Sequence, residues 1–341
     1  MHPVSQVIAR NFPRHDTRER GLWINPEPDD CWRLAADGCR SLHLFCQDHG
    51  SFRYLQRSGA TTGFGAFPDI AEQRYDWIIL NLPRQKALLA MLLDCAATLL
   101  GDDGKLWLAG ENRAGIKSAG KILETRFGKV RKLDSARHCT LFEASDVFGA
   151  AVFDPIEYRD QWLLDIGATR MKITSYPGVF AHGRLDTGTA LLLEVLQKLT
   201  IEGEVLDFAC GAGVIGACIA KTHEHASVTL LDNNALALRA SQETLDTNQL
   251  SGTVLASHGL SELNGIFDWV ISNPPVHAGV KTDSGLSVRL LESVHNHLRP
   301  GGHLIMVANI HLPYEKWLQK TFRRCRQLAN DTHFKVIGAE L

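Results

Sequence analysis

One nine-residue pattern occurs twice in this chain of 341 residues. Residues 75–83 read YDWIILNLP, residues 267–275 read FDWVISNPP, and the two align without a gap. In both halves a helical stretch, a glycine turn, a strand, another helical stretch and a closing pair of strands follow in the same order. The sequence therefore predicts two copies of one α/β module rather than a single continuous domain.

Each half alternates strands with helices, which predicts parallel β-α units joined by right-handed crossovers. The last two strands of each half are close enough in sequence to form a hairpin, so one strand is expected to run antiparallel. Each half is thus a doubly wound, Rossmann-like sheet with a mixed edge. Gly149 and Pro155 lie in a polar linker, and we place the domain boundary there, giving domains 1–152 and 153–341.

Several classes of protein are disfavoured by the composition. The longest apolar stretch, residues 88–100, is interrupted by Asp94, and the first residues lack the apolar core of a secretory signal, so a cytoplasmic protein without a membrane span is expected. The eight cysteines form no CxxC pair and have no neighbouring histidine at zinc-ligand spacing, so no metal site is expected. The formal charge of −2 argues against coating nucleic acid by charge alone.

A glycine-rich turn follows a short apolar strand in the second half. Gly211-x-Gly213-x-x-Gly216 satisfies a fingerprint that does not by itself distinguish NAD from other adenosine ligands. Asp207 ends the strand before this turn, where a carboxylate can organise the loop and approach an ammonium group. A dinucleotide would place its pyrophosphate here, which makes the anion unfavourable. The alternative role for Asp207 is bracing the loop or capping the helix.

The next strand of the second half ends at Asp232 and Asn233. A carboxylate at this position can accept hydrogen bonds from both ribose hydroxyls of an adenosine. The alternative is a solvated strand end with no ligand.

Asn273-Pro274-Pro275 follows the predicted fourth strand, at the edge where open α/β sheets bind ligands. Prolines cannot extend a central strand, so the chain must turn there. The Asn273 side-chain oxygen and the Pro274 carbonyl can accept the two N–H bonds of an amino group and align its lone pair for methyl transfer. The alternative is a rigid turn closed by an asparagine cap.

These motifs together resemble a known family. Asp207-x-x-x-Gly211-x-Gly213, Asp232 and Asn273-Pro-Pro-x-His277-x-Gly279 are similar to the class I methyltransferases of amino groups, specifically the RsmC-type 16S ribosomal RNA guanine-N2 methyltransferases. Residues 177–180 and 185–188 resemble the family segment that borders the cofactor. The resemblance covers essentially the whole chain, because this family also carries a degenerate N-terminal copy of the fold.

The resemblance implies an enzyme that uses S-adenosylmethionine to methylate N2 of guanine 1207 in 16S ribosomal RNA of the small subunit. We expect the protein to be a monomer. Three groups of cofactor contacts follow from it: the methionine part at Asp207, Cys210, Gly211 and Gly213; the ribose at Asp232 and Asn233; the adenine edge at Ser257 and His258. Asn273, Pro274 and Pro275 would hold the guanine amino group, with Asn273 also bordering the cofactor.

The substrate side departs from the family pattern at one position. Val276 stands where the family commonly has an aromatic residue that would stack on an extruded base, so stacking is expected from Phe180 or Phe267. His277 would contact phosphate or base, or pack against the loop.

The first half is expected to have lost catalysis. We matched its residues 41–50, which contain one glycine, to the glycine loop, and Asn81-Leu82-Pro83 lacks one proline of the motif. A basic run in this half could position RNA through phosphates, or could be a solvated face. It comprises Arg113, Lys117, Lys121, Arg126, Lys129, Arg131, Lys132 and Arg137.

Four other functions stay open from the sequence. An NAD-dependent dehydrogenase would explain the glycine loop but not the Asn-Pro-Pro turn. A large-subunit guanine-N2 enzyme, or a protein-glutamine or DNA-adenine methyltransferase, would use the same turn. A non-enzymatic RNA-binding assembly factor would keep only a vestigial pocket.

Overall fold

The chain divides into two compact units, Met1–Tyr158 and Arg159–Leu341. The computed structural model describes residues 1–12, 19–69, 74–149, 152–167, 169–260, 262–275 and 290–341. The division lies after Tyr158, beyond the boundary that the sequence placed after residue 152. The reason is local packing, because the Phe153 ring contacts the rings of Phe67 and Tyr158, and the Tyr158 hydroxyl donates to Asp94, all within the first unit.

The described helices and strands of the first unit alternate along the chain. They are α1 (Pro3–Asn11), β1 (Arg20–Ile24), α2 (Cys31–Ala36), β2 (Ser41–Cys46), α3 (His49–Arg57), β3 (Thr62–Phe64), β4 (Tyr75–Asn81), α4 (Lys86–Leu99), β5 (Leu100–Glu111), α5 (Ile116–Leu123), β6 (Phe127–Ala136) and β7 (Cys139–Val147).

The second unit begins with a two-stranded hairpin and then repeats the same alternation. Its described elements are β8 (Asp160–Ile166), β9 (Thr169–Ser175), α6 (Thr187–Leu196), β10 (Gly203–Phe208), α7 (Val214–Thr222), β11 (Ala226–Asp232), α8 (Ala235–Thr247), β12 (Thr253–Ala256), β13 (Phe267–Ser272), β14 (Leu298–Asn309), α9 (Tyr314–Leu318), β15 (Arg324–Asn330) and β16 (Phe334–Glu340).

Both units contain a seven-stranded sheet with the same strand order. The first is β3-β2-β1-β4-β5-β7-β6 and the second is β12-β11-β10-β13-β14-β16-β15. In each sheet the first five strands are parallel, whereas β7 and β16 run antiparallel to both of their neighbours. The prediction of two tandem, doubly wound modules with a mixed edge is therefore confirmed.

The register of the two sheets corrects one sequence assignment. Trp23 of β1 pairs with Ile79 of β4, as Asp207 of β10 pairs with Ile271 of β13, so β1 and not β2 is the counterpart of the glycine-loop strand. Matching residues 41–50 to the glycine loop was therefore wrong. The true counterpart is the turn at residues 25–30, which contains no glycine at all and so offered no signal to find it.

The second sheet is built around β10 and β13, whose side chains are largely buried on both faces. Leu206 and Phe208 of β10 share one apolar core with Val270 of β13 and with Leu304 and Met306 of β14. Parallel strands in the middle of a sheet that is covered on both faces are rich in apolar residues, as β10 and β13 are. These two strands pair with each other. Their carboxyl ends therefore meet at the same edge.

None of the described helices is both long and apolar enough to cross a membrane.

Candidate active site

The glycine loop leaves β10 through three residues in the left-handed backbone region. Ala209, Gly211 and Gly213 have φ values of 60°, 56° and 76°. Ala209 is the one of the three with a Cβ, and an L-residue with positive φ is strained unless its surroundings hold it. The Cys210 amide donates to the Leu231 carbonyl on the neighbouring strand (3.0 Å), which anchors the loop at this point.

Two glycines of the motif are required by close packing, and the first of them, Gly213, also has a positive φ. A Cβ on Gly213 would lie 3.0 Å from the Ser241 Cα, which is backbone and cannot rotate away. A Cβ on Gly216 would lie 2.7 Å from the Leu230 side chain. These contacts bring α7 and α8 close to β11, so the G-x-G-x-x-G spacing serves both the turn and the helix-to-sheet packing.

Asp207 lies beneath the loop with no exposed surface. Its Oδ2 accepts a hydrogen bond from the Gly216 amide at 2.8 Å, which ties the strand end to the first turn of α7. Its Oδ1 is buried and has no hydrogen-bond partner among the described residues. Burial raises the pKa of this carboxyl from 3.8 to about 7; the Gly216 amide lowers the pKa and the Asp232 charge raises it.

Asp232 holds the other side of the loop. Its Oδ2 accepts from the Gly211 amide (2.9 Å) and its Oδ1 accepts from the Asn234 amide (2.9 Å). Asn233 lies between them and is partly buried, as is Asp232. Both carboxylates that are predicted to face the cofactor therefore brace the turn. Their contact with a cofactor stays a prediction.

Ser241 of α8 supports the loop and was not found by sequence reasoning. Its hydroxyl donates to the Gly211 carbonyl at 2.9 Å and lies 3.2 Å from the Cys210 sulfur. Cys210 is almost completely buried, and burial, followed by the charges of Asp232 and Asp207, raises the pKa of its thiol well above the ordinary value. The thiol is therefore a neutral packing group at any moderate pH.

The residues predicted at the adenine edge lie directly after β12. The Ser257 amide donates to the Asp232 carbonyl at 3.1 Å, which places this residue beside the end of β11. The Ser257 hydroxyl is buried and has no partner among the described residues. His258 follows and is partly exposed. The structure thus brings residues 207, 232 and 257 to one edge of the sheet.

Asn273 follows β13, and its side-chain amide is held by two acceptors. Its Nδ2 donates to Asp186 Oδ2 at 3.0 Å and to Thr189 Oγ1 at 2.8 Å. The end of β13 is fixed by Ser272, whose hydroxyl donates to the Phe208 carbonyl at 2.8 Å. Sequence reasoning missed Thr189 and did not connect Asp186 with Asn273, because nothing in the spacing predicts that residues 84 and 87 positions apart will meet.

The other residues predicted on the substrate side differ in their exposure to solvent. Phe180 is 61% exposed, and its Cβ lies 4.0 Å from a Cβ built on Gly211, so the base of its side chain is next to the glycine loop. Phe267 is 5% exposed and belongs to the apolar core, so it has no free face for stacking on a base. Pro274 is buried and Pro275 partly buried. Val276 and His277 lie outside the described residues.

The corresponding edge of the first unit is filled by protein side chains. Trp23, at the register position of Asp207, donates from Nε1 to Asn81 Oδ1 at 2.9 Å. Asn81 Nδ2 in turn lies 3.4 Å from Glu27 Oε1. Burial raises the pKa of the Glu27 carboxyl. In the first unit the side-chain oxygen of this asparagine already accepts a hydrogen bond from the Trp23 indole, in agreement with the prediction of a degenerate copy.

The basic run of the first unit is partly neutralised. Arg126 pairs with Asp94 (2.6 Å), Lys129 with Asp146 (2.9 Å) and Arg131 with Glu143 (2.7 Å). Arg113 also pairs with Glu111. Four of the eight cations thus have carboxylate partners, which the sequence reading, with few acids near the run, did not anticipate.

Among the described residues, no group of three or more His, Cys, Asp or Glu side chains is placed to hold a metal ion. All eight cysteines are free thiols.

Comparisons with known proteins place this geometry in context. Residues 5–161 match the family model described as methyltransferase small domain N-terminal, and residues 170–338 match that described as methyltransferase small domain. The ribosomal RNA small subunit methyltransferase C of Pseudomonas putida (strain W619) is 41% identical, with 99% of each chain covered. The protein of the same name from Pseudoalteromonas atlantica (strain T6c) is 36% identical, covering 98% of this chain and 97% of that one.

A solved structure is similar over nearly the whole chain. It is the T. thermophilus 16S rRNA N2 G1207 methyltransferase (RsmC) in complex with AdoMet and guanosine. The two chains share 25% sequence identity and superpose with a TM-score of 0.87, covering 99% of this chain and 92% of the other.

Proposed function

Because the chain belongs to the ribosomal RNA small subunit methyltransferase C family, we propose that it transfers a methyl group from S-adenosylmethionine to the exocyclic N2 amino group of a guanine in 16S ribosomal RNA. The position that we propose is the one named for the T. thermophilus relative, guanine 1207. The observation that carries the proposal is the Asn273 amide, whose nitrogen donates to Asp186 and Thr189, so that the oxygen is the side-chain atom that can accept from an amino group.

The charges around the glycine loop suit this cofactor better than a dinucleotide. Asp207 and Asp232 lie close enough for one to raise the pKa of the other, so the loop sits over two carboxyl groups. A sulfonium and an ammonium are attracted by such a potential, whereas a pyrophosphate is repelled. We assign the methionine part to the loop at Asp207, Cys210, Gly211 and Gly213, the ribose to Asp232 and Asn233, and the adenine to Ser257 and His258.

Methyl transfer requires alignment more than proton abstraction. S-adenosylmethionine supplies an electrophilic methyl group on a cationic sulfur. Asn273 Oδ1 and the Pro274 carbonyl accept the two N–H bonds of the guanine amino group, which directs the nitrogen lone pair toward the methyl. Pro275 makes the turn rigid, since its ring fixes φ. The proton leaves the nitrogen during or after transfer, so no strong base is needed at the site.

Phe180 completes the proposed substrate side. Its largely exposed side chain, which starts next to Gly211, can stack on a base drawn out of the RNA, in place of the aromatic residue that Val276 replaces. Val276 and His277 stay as proposed contacts to the nucleotide, without a geometric argument.

We propose a structural role for domain 1–152 and the catalytic role for domain 153–341. The Trp23 indole occupies the level of Asp207 and donates to the Asn81 oxygen, so the first unit lacks the carboxylate, and its asparagine is engaged within the protein. Any RNA contact by its basic run would rest chiefly on the four cations without the pairs described above, Lys117, Lys121, Lys132 and Arg137. We also propose that the protein acts as a monomer.

The direct test is incorporation of labelled methyl groups. The protein is incubated with tritiated S-adenosylmethionine and, in separate reactions, 16S RNA, 30S subunits, 23S RNA, DNA and a protein extract, and the products are digested and identified. We expect label in N2-methylguanosine from a small-subunit substrate, at one position, and none with Asn273→Ala. Label in 23S RNA, in adenine or in glutamine would support the corresponding alternative enzyme. Binding of RNA without any labelled product would support an assembly factor.

A further inference from the structure

The amide of Asn273 is connected to the first turn of α6 in one direction only. An ionised carboxylate has no hydrogen to donate, so Asp186 Oδ2 must face the NH2 side of Asn273, 3.0 Å away. The Thr189 hydroxyl lies 3.4 Å from the same carboxylate and 2.8 Å from the Asn273 nitrogen. It therefore donates to Asp186 and accepts from Asn273. The Asp186 carboxylate opposes the flipped amide, because Oδ1 would then face a negative charge. A Thr189 hydroxyl that turned to donate to Oδ1 would lose its bond to Asp186.

We propose that Asp186, with Thr189, is a positioning residue that fixes the polarity of Asn273, so that Oδ1 and not Nδ2 faces the substrate. This inference rests on the proposed function and deepens it. An acceptor at this position selects an amino group, which donates, over a carbonyl oxygen such as O6 of guanine, which accepts. A flipped amide would direct its own N–H bonds at the amino hydrogens and turn the nitrogen lone pair away from the methyl group.

Asp186 also caps helix α6, and the test must separate this structural role from its contact with Asn273. It is the N-cap of α6, and its Oδ2 accepts from the Thr189 amide at 2.9 Å. Serine is an equally good N-cap, but its oxygen is one bond closer to the backbone. Asp186→Ser therefore keeps the helix cap and removes the contact with Asn273. Asp186→Asn keeps an acceptor oxygen at the same distance, and Thr189→Val removes the second acceptor without a change of shape.

Steady-state kinetics with 16S RNA or 30S subunits tests the proposal. We expect Asp186→Ser to lower kcat by about 10- to 100-fold, the range for misaligned reactants, with the Kd for S-adenosylmethionine changed less than about threefold. Asp186→Asn should recover most of the lost rate. Asp48→Ser, which makes the same exchange at the N-cap of α3 in the first unit, should leave kcat unchanged. An unchanged kcat in folded Asp186→Ser, or no recovery with Asp186→Asn, would overturn the proposal.

A second readout does not depend on activity. In protein labelled with 15N-asparagine, the Asn273 side-chain signals are identified by their loss in Asn273→Ala. We expect slow hydrogen exchange of both N–H protons in the wild type and fast exchange in Asp186→Ser. Equal exchange in the two proteins would refute the positioning role. If the wild type methylates no RNA, the proposed function fails, while this measurement still decides whether Asp186 holds Asn273.

A different observation concerns the outer edge of the second sheet. Residues 316–330 contain no Asp or Glu and carry the cations Lys316, Lys320, Arg323, Arg324 and Arg326. Arg324 pairs with Glu340 at 3.4 Å. Within the described part of the chain, the other four have no carboxylate within ion-pair distance, and all four are exposed. We call these four residues, with Trp317, the C-terminal basic strip.

Trp317 gives the strip an aromatic surface as well as charge. Its side chain is 41% exposed, and the Lys320 Nζ lies 5.7 Å from the centre of the ring. Unpaired cations next to an exposed indole are the combination that binds phosphates and stacks on bases in RNA recognition. The basic run of the first unit differs, because half of its cations are already paired with carboxylates.

We infer that the C-terminal basic strip binds the phosphodiester backbone of the substrate RNA, which also rests on the proposed function. The test compares Lys320→Glu/Arg323→Glu/Arg326→Glu with a matched triple of the same charge change, Lys129→Glu/Arg131→Glu/Lys132→Glu. Affinity for a 16S RNA transcript is measured as a function of salt, without methylation. Each lost phosphate contact reduces the slope of log K against log salt by about 0.7 to 0.9.

We expect the strip triple to reduce this slope by about 2 and the affinity at least tenfold, with cofactor affinity unchanged. The first-unit triple should have a clearly smaller effect. Equal losses for both triples, or a loss confined to the first-unit triple, would overturn the inference. If the wild type binds RNA without methylating it, the proposed function is refuted, but the comparison of the two triple variants in RNA binding remains valid.

Discussion

Asn273→Ala is expected to lower kcat for methyl transfer by about 100- to 1000-fold, the range found when one preorganised polar contact to the reacting group is removed. The side chain reaches the site from the end of β13 with its nitrogen held by Asp186 and Thr189. Alanine removes the proposed acceptor for one N–H bond of the guanine amino group, and we expect the nitrogen lone pair to lose its alignment. Single-turnover rates with saturating cofactor measure this step directly.

Asn81→Ala provides the matched control, because Asn81 occupies the same position in the first unit. Its Oδ1 already accepts from Trp23, so the substitution affects packing in that unit and removes no substrate contact. We expect the rate per folded molecule to stay within a fewfold of the wild type. If Asn273→Ala retained more than about a tenth of the wild-type rate, Asn273 would not be the group that aligns the amino nitrogen.

Asp207→Asn is expected to stabilise the protein while it weakens cofactor binding. Because burial raises the pKa of this carboxyl from 3.8 to about 7, the folded chain binds the proton more tightly than the unfolded chain. Its contribution to stability is therefore complete below about pH 4 and is lost as the pH rises to about 7. We expect the free energy of unfolding of the wild type to fall by a few kcal/mol over this window, at about 1.4 kcal/mol per pKa unit.

Asparagine removes this pH dependence because it does not ionise. Urea unfolding between pH 4 and pH 8 should therefore give a flatter profile for Asp207→Asn and a more stable protein near pH 8. Asp246→Asn, which removes one exposed carboxylate of α8 in the same unit, is the control and should retain the wild-type slope. A slope that persists in Asp207→Asn would mean that another group is responsible.

The affinity for the cofactor is expected to change with pH in the opposite direction to the stability of the protein. Only the ionised Asp207 attracts a cationic ligand, so the wild-type affinity for S-adenosylmethionine should weaken as the pH falls below about 7. We expect Asp207→Asn to bind roughly 10- to 100-fold more weakly at pH 8, corresponding to about 1.4–2.8 kcal/mol of charge interaction, with little pH dependence. Calorimetry at several pH values measures both. Unchanged affinity in the variant would assign Asp207 to loop bracing alone, through its bond to Gly216.

Much of the fold and part of the candidate site could be predicted because they depend on short-range patterns. The repeated pattern of residues 75–83 and 267–275 indicated two modules, and alternation of strands and helices restricted them to parallel, right-handed units. Carboxyl ends of neighbouring parallel strands meet at one edge of a sheet, so Asp207, Asp232 and Asn273 could be grouped from strand ends alone.

Where the pattern was missing, the prediction failed. Searching for glycines matched residues 41–50 to the cofactor loop, whereas the strand register assigns that position to β1 and the glycine-free turn after it. Proposing Phe267 for base stacking failed for a similar reason, since an aromatic residue at a strand start can face either the core or solvent. In this chain it is buried among the apolar side chains of the second unit.

The sequence alone therefore determined the repeated α/β architecture and the edge of the second sheet where ligands bind, because both follow from periodicity and from the few backbone conformations that glycine and proline permit. Only the tertiary structure decided that Asp186 fixes the direction of the Asn273 amide, that Trp23 fills the level of Asp207 in the first unit, and that Arg131 is paired with Glu143. Hydrogen-bond direction and charge neutralisation depend on distances between residues far apart in the chain, and no local pattern encodes those distances.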